Sequence, residues 1–188
     1  MVVFHLISSL NTGGAETMLV RLVVAMPYHK HVVVSLTDLG PVAETLAAAG
    51  HPVYCLNLNI ISFPFALVKL AHLIKKYKPN VMQTWMYHSD LIGGLIGKIC
   101  GISNIVWNVR NTEISKSGIS TTRFIIKLCA LFSKFLPNKI ICCAESAKIK
   151  HIALGYDDVR MTVIPNGFDP DVFFIEECSK SEIRSAMG

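Results

Sequence analysis

The chain has 188 residues, 52% hydrophobic and 16% charged, with a formal net charge of +5. That length holds one domain with a good-sized core, or one domain plus a tail, and the composition excludes a disordered chain or a nucleic-acid-binding tail, so no nucleic acid partner is expected. No apolar run reaches about 18 residues without charge, so no membrane-spanning helix is expected.

Residues 2–7 (Val2-Val3-Phe4-His5-Leu6-Ile7) form an apolar, β-branched run that reads as a buried parallel strand. A polar turn follows, Ser8-Ser9-Leu10-Asn11-Thr12-Gly13-Gly14, and then a helical pattern over 15–26. Gly13 and Gly14 leave room for a ligand near the helix N-terminus, where free N–H groups and the dipole favour phosphate. The turn lacks the Lys-Ser/Thr of a Walker loop and the three spaced glycines of a dinucleotide fingerprint, so a plain tight turn is the competing reading.

Residues 31–36 read as a second strand. A helix over 42–49 has Pro41 near its first position and Gly50 as its stop. A third strand spans 52–56, and a helix over 63–77 keeps Lys69, Lys75 and Lys76 on its polar side, with Lys78 just beyond. Residues 81–85 form a fourth strand, followed by a polar stretch to Asp90 and a glycine-containing helix over 91–100. The fifth strand, 104–109, leads into Arg110-Asn111-Thr112-Glu113 and a polar loop to 121. A helix over 123–136, a sixth strand over 139–143, a helix over 144–153 and a seventh strand over 161–164 complete the pattern.

Strand and helix alternate throughout. The expected fold is therefore α/β: a doubly wound, mostly parallel sheet of about seven strands with helices on both faces. Ligands of such sheets lie beyond the carboxyl ends of the strands. The turns after strands one, four and five all fall on that edge. From Phe168 the pattern changes, which divides the chain into a domain over 1–167 and a segment over 168–188 with a polar helix over 176–187.

The six cysteines show no C-x-x-C spacing and sit mostly in apolar stretches, as buried thiols do in a reducing compartment. The N-terminus has no charged n-region or small-residue cleavage site, so no signal peptide is expected.

Four stretches together resemble the amino-terminal half of a family 4 glycosyltransferase: Gly13-Gly14-Ala15-Glu16; Trp85-Met86-Tyr87-His88-Ser89-Asp90-Leu91-Ile92-Gly93; Arg110-Asn111; and Val163-Ile164-Pro165-Asn166-Gly167-Phe168-Asp169. The resemblance implies the GT-B fold, two Rossmann-like domains facing a cleft, with 168–188 joining them and starting the second. It implies an acceptor-side domain of a retaining transferase that is inactive alone and needs no metal or cofactor. The co-substrate is a UDP- or GDP-linked sugar bound mainly by the second domain. The acceptor is a sugar or lipid-linked sugar, and the setting is bacterial surface polysaccharide or glycolipid synthesis in the cytoplasm, at the inner face of the membrane.

Carried over residue by residue, Gly13 and Gly14 become donor-phosphate contacts and His88 the catalytic candidate; Arg110, whose guanidinium on that edge suits a diphosphate or an acidic acceptor, is placed with the donor-phosphate contacts. Asn11, Thr12, Tyr87, Ser89, Asp90 and Asn111 become acceptor contacts. Gln83 and Trp85 stand where the family carries a His-x-His pair, which is a departure. Each residue keeps a second reading. His88 could simply cap a helix, Arg110 could be a surface arginine, Trp85 and Tyr87 could cover the sheet, and Glu16 could complement the α-helix dipole. The helices over 63–78 and 123–139 are basic and amphipathic, so contact with anionic lipid stands beside the simpler role of packing on the sheet. A free-standing nucleotide- or metabolite-binding module without catalysis remains the alternative to the enzyme.

Overall fold

The computed structural model describes residues 1–111, 120–167 and 185. The expectations for the polar loop and for the segment 168–188 thus lie almost wholly outside the described residues. The described chain forms β1 (Val2–Ile7), α1 (Gly14–Ala25), β2 (Lys30–Ser35), α2 (Pro41–Ala48), β3 (Val53–Cys55), α3 (Phe63–Tyr77) and β4 (Val81–Trp85). It continues with α4 (Tyr87–Ile99), β5 (Ile105–Val109), α5 (Ser120–Phe132), β6 (Lys139–Cys142), α6 (Glu145–Ala153) and β7 (Met161–Val163). All strand pairs are parallel. The order is β3-β2-β1-β4-β5-β6-β7, so the winding reverses between β1 and β4. That is the topological switch point, where a crevice opens.

The expected doubly wound sheet is present, with an uneven division of helices. Leu19 and Val23 of α1 and Ala43 and Leu46 of α2 pack on Ile7, Val33 and Trp85. Leu70 of α3, Ile126 of α5 and Ala147 of α6 share the other layer with Phe4, Met82, Trp107 and Ile140. Right-handed crossovers require this split, because the chain moves one way from β1 to β3 and the other way from β3 to β7. The strand interiors carry the core: Phe4, Leu6, Ile7, Trp85 and Trp107 have no exposed surface.

The helix after β4 starts four residues earlier than its glycine-containing stretch suggests. Its first turn includes His88, Ser89 and Asp90. No side chain caps it; Met86 makes the turn with φ 73° and ψ 160°, a region that glycine alone enters easily. Gly93 then lets α4 sit close to the sheet, since a Cβ there would lie 2.6 Å from Thr84 Cγ2 and 2.9 Å from Leu6 Cδ2. α5 also ends at Phe132, not at Leu136.

Candidate functional site

Three strand ends build a cleft at the switch point. It measures about 290 Å³ and is lined by Gly14, Ala15, Glu16, Met86, Arg110, Asn111 and Asn166. β1 delivers the start of α1, β4 delivers Met86, and β5 delivers Arg110 and Asn111. Asn166 arrives from the segment after β7.

The start of α1 makes one wall. Gly13 is its N-cap residue in extended conformation (φ −166°), and no side chain caps the helix. The first N–H groups of the helix therefore face the cleft with the positive end of the dipole. A Cβ on Gly14 would meet nothing within 4 Å, so the space above it is open. At Gly13 the Glu16 carboxylate lies over the position a Cβ would take, and a flexible side chain can move away. Neither glycine is demanded by the fold itself. By contrast, a Cβ on Gly40 would come within 2.5 Å of the Leu10 carbonyl oxygen and 2.7 Å of Asn11 Cα. Gly40 fixes the loop that leads into the cleft.

Arg110 makes the opposite wall. Its Nη1 donates to Asn166 Oδ1 over 2.5 Å and its Nη2 to Asn108 Oδ1 over 3.4 Å. Its guanidinium lies 5.2 Å from the centre of the Trp85 ring, a cation–π distance. Its Nε is buried without a partner among the described residues. Burial lowers its pKa from the usual arginine value. A half-buried cation opposite an uncapped helix N-terminus suits an anionic ligand with several oxygens, and the Glu16 carboxylate in the same lining is the group such a ligand would have to displace or avoid. Arg21 Nη1 donates to the Gly167 carbonyl over 2.8 Å and ties the segment after β7 to α1. Sequence reasoning singled out neither Arg21 nor Asn166 as a site residue, because the contacts span 146 and 56 positions.

The other predicted residues divide. Asn111 lines the cleft. Asn11 and Thr12 are exposed in the loop before α1, and Asn11 donates to Asp38 Oδ2 over 3.2 Å. His88 is half-buried in the first turn of α4, with no hydrogen-bond partner among the described residues. Burial lowers its pKa, so the ring is neutral near pH ~7. Tyr87, Ser89 and Asp90 are buried and do not reach the rim. Tyr87 donates to His151 Nε2 over 2.9 Å, and His151 Nδ1–H donates to the Ala147 carbonyl over 2.7 Å, so Tyr87 braces α4 against α6. Ser89 shares a 3.3 Å hydrogen bond with Ser8. Asp90 accepts from Thr84 Oγ1 over 2.5 Å, and its other oxygen is buried without a partner. Burial raises the Asp90 pKa well above the usual carboxylate range. Buried as they are, these three side chains do not offer acceptor contacts. The early start of α4 explains this, since it turns them inward.

A larger groove, about 500 Å³, lies at the opposite edge between Lys75, Lys78, Asn80, Cys100 and Ser103. The C-terminal ends of α3 and α4 point there, which disfavours anions despite the lysines. Among the described residues, no group of three or more His, Cys, Asp or Glu side chains is placed to hold a metal ion.

Known proteins share this fold. An Escherichia coli UDP-Gal:alpha-D-GlcNAc-diphosphoundecaprenol alpha-1,3-galactosyltransferase is 24% identical over 123 residues, 65% of this chain and 32% of its own length. The crystal structure of Anabaena HepE in complex with UDP superposes with a TM-score of 0.79 at 19% identity, covering 100% of this chain and 50% of that one. A UDP-N-acetylglucosamine 2-epimerase from Rickettsia bellii superposes at 0.63 with 15% identity, covering 97% of this chain and 51% of that one. At such identities the superpositions establish the fold, which transferases and epimerases share. The chain spans about a third to a half of the length of these relatives and corresponds to the amino-terminal Rossmann-like half of the GT-B fold. The family model for Glycosyltransferase Family 4 matches residues 12–172, and the chain belongs to that family.

Proposed function

We propose that this chain is the acceptor-side domain of a retaining glycosyltransferase that uses a nucleotide sugar, with UDP favoured over GDP. The reading rests on the cleft in which the uncapped start of α1 faces Arg110 across the switch point. There the α1 N–H groups and Arg110 contact the donor's diphosphate, while a second domain holds the nucleotide. His88, neutral and without a hydrogen-bond partner among the described residues, hydrogen-bonds the acceptor or the sugar. In a same-face retaining transfer the departing phosphate oxygen takes the acceptor's proton, so His88 need not act as a base. The fragment alone lacks the donor site and is inactive.

The distribution of charge supports a lipid-linked acceptor reached at the inner face of a membrane. The adjacent helices α3, α4 and α5 carry Lys69, Lys75, Lys76, Lys98, Arg123 and Lys127, and their one acid, Asp90, is buried. The same layer exposes Phe65, Val68, Ile99, Phe124 and Leu131. Beside it, Ile60 and Ile61 are 97% and 88% exposed. They project from a loop braced by Asn59 Oδ1, which accepts from the N–H groups of Ile61 and Ser62. An apolar, basic, acid-free face suits an anionic bilayer. Among the described residues no helix is long and apolar enough to cross a membrane. The pathway is surface polysaccharide or glycolipid synthesis in the cytoplasm.

The test is transfer from radiolabelled UDP-sugars to diphosphopolyprenol-linked sugars by the full-length polypeptide. Arg110→Ala should lower kcat/KM by about 100-fold or more. A wild-type protein that transfers no sugar, or an Arg110→Ala variant with unchanged kcat/KM, contradicts the assignment.

A further inference from the structure

The layer beneath α1 buries two histidines that the cleft does not explain. In the sheet register His5 pairs with Val33 and Gln83, while His31 pairs with Val3 and Trp85 with Ile7. His31 and Trp85 are thus diagonal neighbours of His5 on the same face, within reach of long aromatic side chains. All three are fully buried. Trp85 Nε1–H donates to His5 Nδ1 over 3.4 Å. His5 Nε2 lies 3.0 Å from His31 Nδ1, and His31 Nε2 lies 3.0 Å from the Met26 carbonyl oxygen.

The ends of this chain dictate every proton within it. An indole N–H can only donate and a carbonyl can only accept. His5 Nδ1 must accept, so its proton is on Nε2. That N–H meets His31 Nδ1, which must also accept, so His31 carries its proton on Nε2 and donates to Met26. One arrangement satisfies all three links, and both rings are neutral in it. A further proton on either Nδ1 would set N–H against N–H and break a link. Burial, then the neighbouring His31 and His51, push the His5 pKa down to about 3. Burial lowers that of His31 too, against the Met26 carbonyl, which favours its charged form. His51 and His29, 5.6 Å and 6.4 Å from the His31 ring, add like charge when protonated. At the far end stands the Arg110 guanidinium, over the Trp85 ring.

We propose that His5 and His31 are positioning residues: the pair fixes the Trp85 indole, the indole carries the Arg110 guanidinium, and a proton gained by either imidazole loosens both. Only the consequence for ligand binding rests on the reading of Arg110 as a phosphate contact.

The experiment is nuclear magnetic resonance on the full-length polypeptide, isotope-labelled, with UDP as the binding probe. Both imidazoles should show the Nε2–H tautomer, and the Trp85 indole N–H should exchange slowly with water. On acidification, the Trp85 indole and Arg110 Nε–H signals should change together with the titration of this pair, below about pH 6.5. His5→Leu should shift the indole signal, broaden the Arg110 signal and weaken UDP binding about two- to fivefold. His5→Gln, whose amide can accept from Trp85 and donate to His31, should restore all three. If His5→Leu does not fold, His31→Val reads the same chain from its other end. Imidazoles in the Nδ1–H tautomer, or Trp85 and Arg110 signals indifferent to loss of the histidine, would overturn the proposal. Wild-type protein that fails to bind UDP would count against the phosphate role of Arg110, leaving the signals to judge the pair.

Discussion

Gly14 separates folding from binding at a single atom. Nothing in the chain occupies the space a Cβ would take there, and alanine is the better helix residue, so Gly14→Ala should match or raise the wild-type stability, by up to about 1 kcal/mol. The same methyl group would enter the cleft, so UDP affinity should fall about tenfold or more. Thermal melts and calorimetric titration of UDP, both on the full-length polypeptide, check the two halves separately; a variant that binds UDP as well as wild type would remove the α1 terminus from the site. At this scale the sequence was readable where chemistry is local. The Gly13-Gly14 turn and Arg110 were picked out correctly as edge residues. Tyr87, Ser89 and Asp90 looked like rim residues because they are polar and follow a strand. Tyr87 and Ser89 are held by partners 64 and 81 positions away, His151 and Ser8, and Asp90 by Thr84 of the preceding strand, contacts that periodicity cannot reveal. Asn166 was legible only as part of a motif; its hydrogen bond to Arg110 was not.

Elements explain why α4 behaves unlike its neighbours. Most strand and helix limits could be read because glycine and proline mark them: Pro41 opens α2, and Gly50 and Gly101 follow α2 and α4 with positive φ. α4 has no such mark at its start, and Met86 turns the corner in a conformation that nothing in its chemistry advertises. The outcome is a carboxyl group inside the first turn, beneath the sheet edge. Asp90 and His5 then pull stability in opposite directions with pH. Because the His5 pKa is held near 3, the unfolded chain takes up a proton that the folded chain refuses. That contribution is lost as pH falls from about 6.5 towards 3. Asp90 has a raised pKa, so its contribution is full below about pH 4 and is lost as pH rises through the folded value. Asp90→Asn keeps an acceptor for Thr84 and removes the ionisation. Its melting temperature should exceed the wild-type value by a margin that grows as pH rises from about 4 to 7. Melts at several pH values check this, and a margin that is constant with pH would place a charged Asp90 in the fold.

Across the whole molecule, the topology could be read because alternating elements and right-handed crossovers allow few arrangements. The basic, amphipathic character of the helices over 63–78 and 123–139 was readable; what escaped the sequence is their gathering with α4 into one basic, apolar face. It follows from which helices share a face, and only the strand order decides that. If the α3–α4–α5 layer meets lipid, the double substitution Ile60→Ser, Ile61→Ser should weaken partitioning into phosphatidylglycerol vesicles about tenfold or more, with little effect on the melting temperature. Equal binding of the wild type to neutral and anionic vesicles in flotation assays would contradict the membrane role. The switch-point cleft and the groove at the opposite edge also make rival claims to be the ligand site, and the distance between them makes the choice measurable. The most direct measurement is a titration of the isotope-labelled full-length polypeptide with UDP, followed through its backbone amide signals. The account predicts the largest shifts at Gly13 to Glu16, Met86, Arg110 and Asn111. Shifts confined to Lys75, Lys78 and Ser103, or absent altogether, would contradict it.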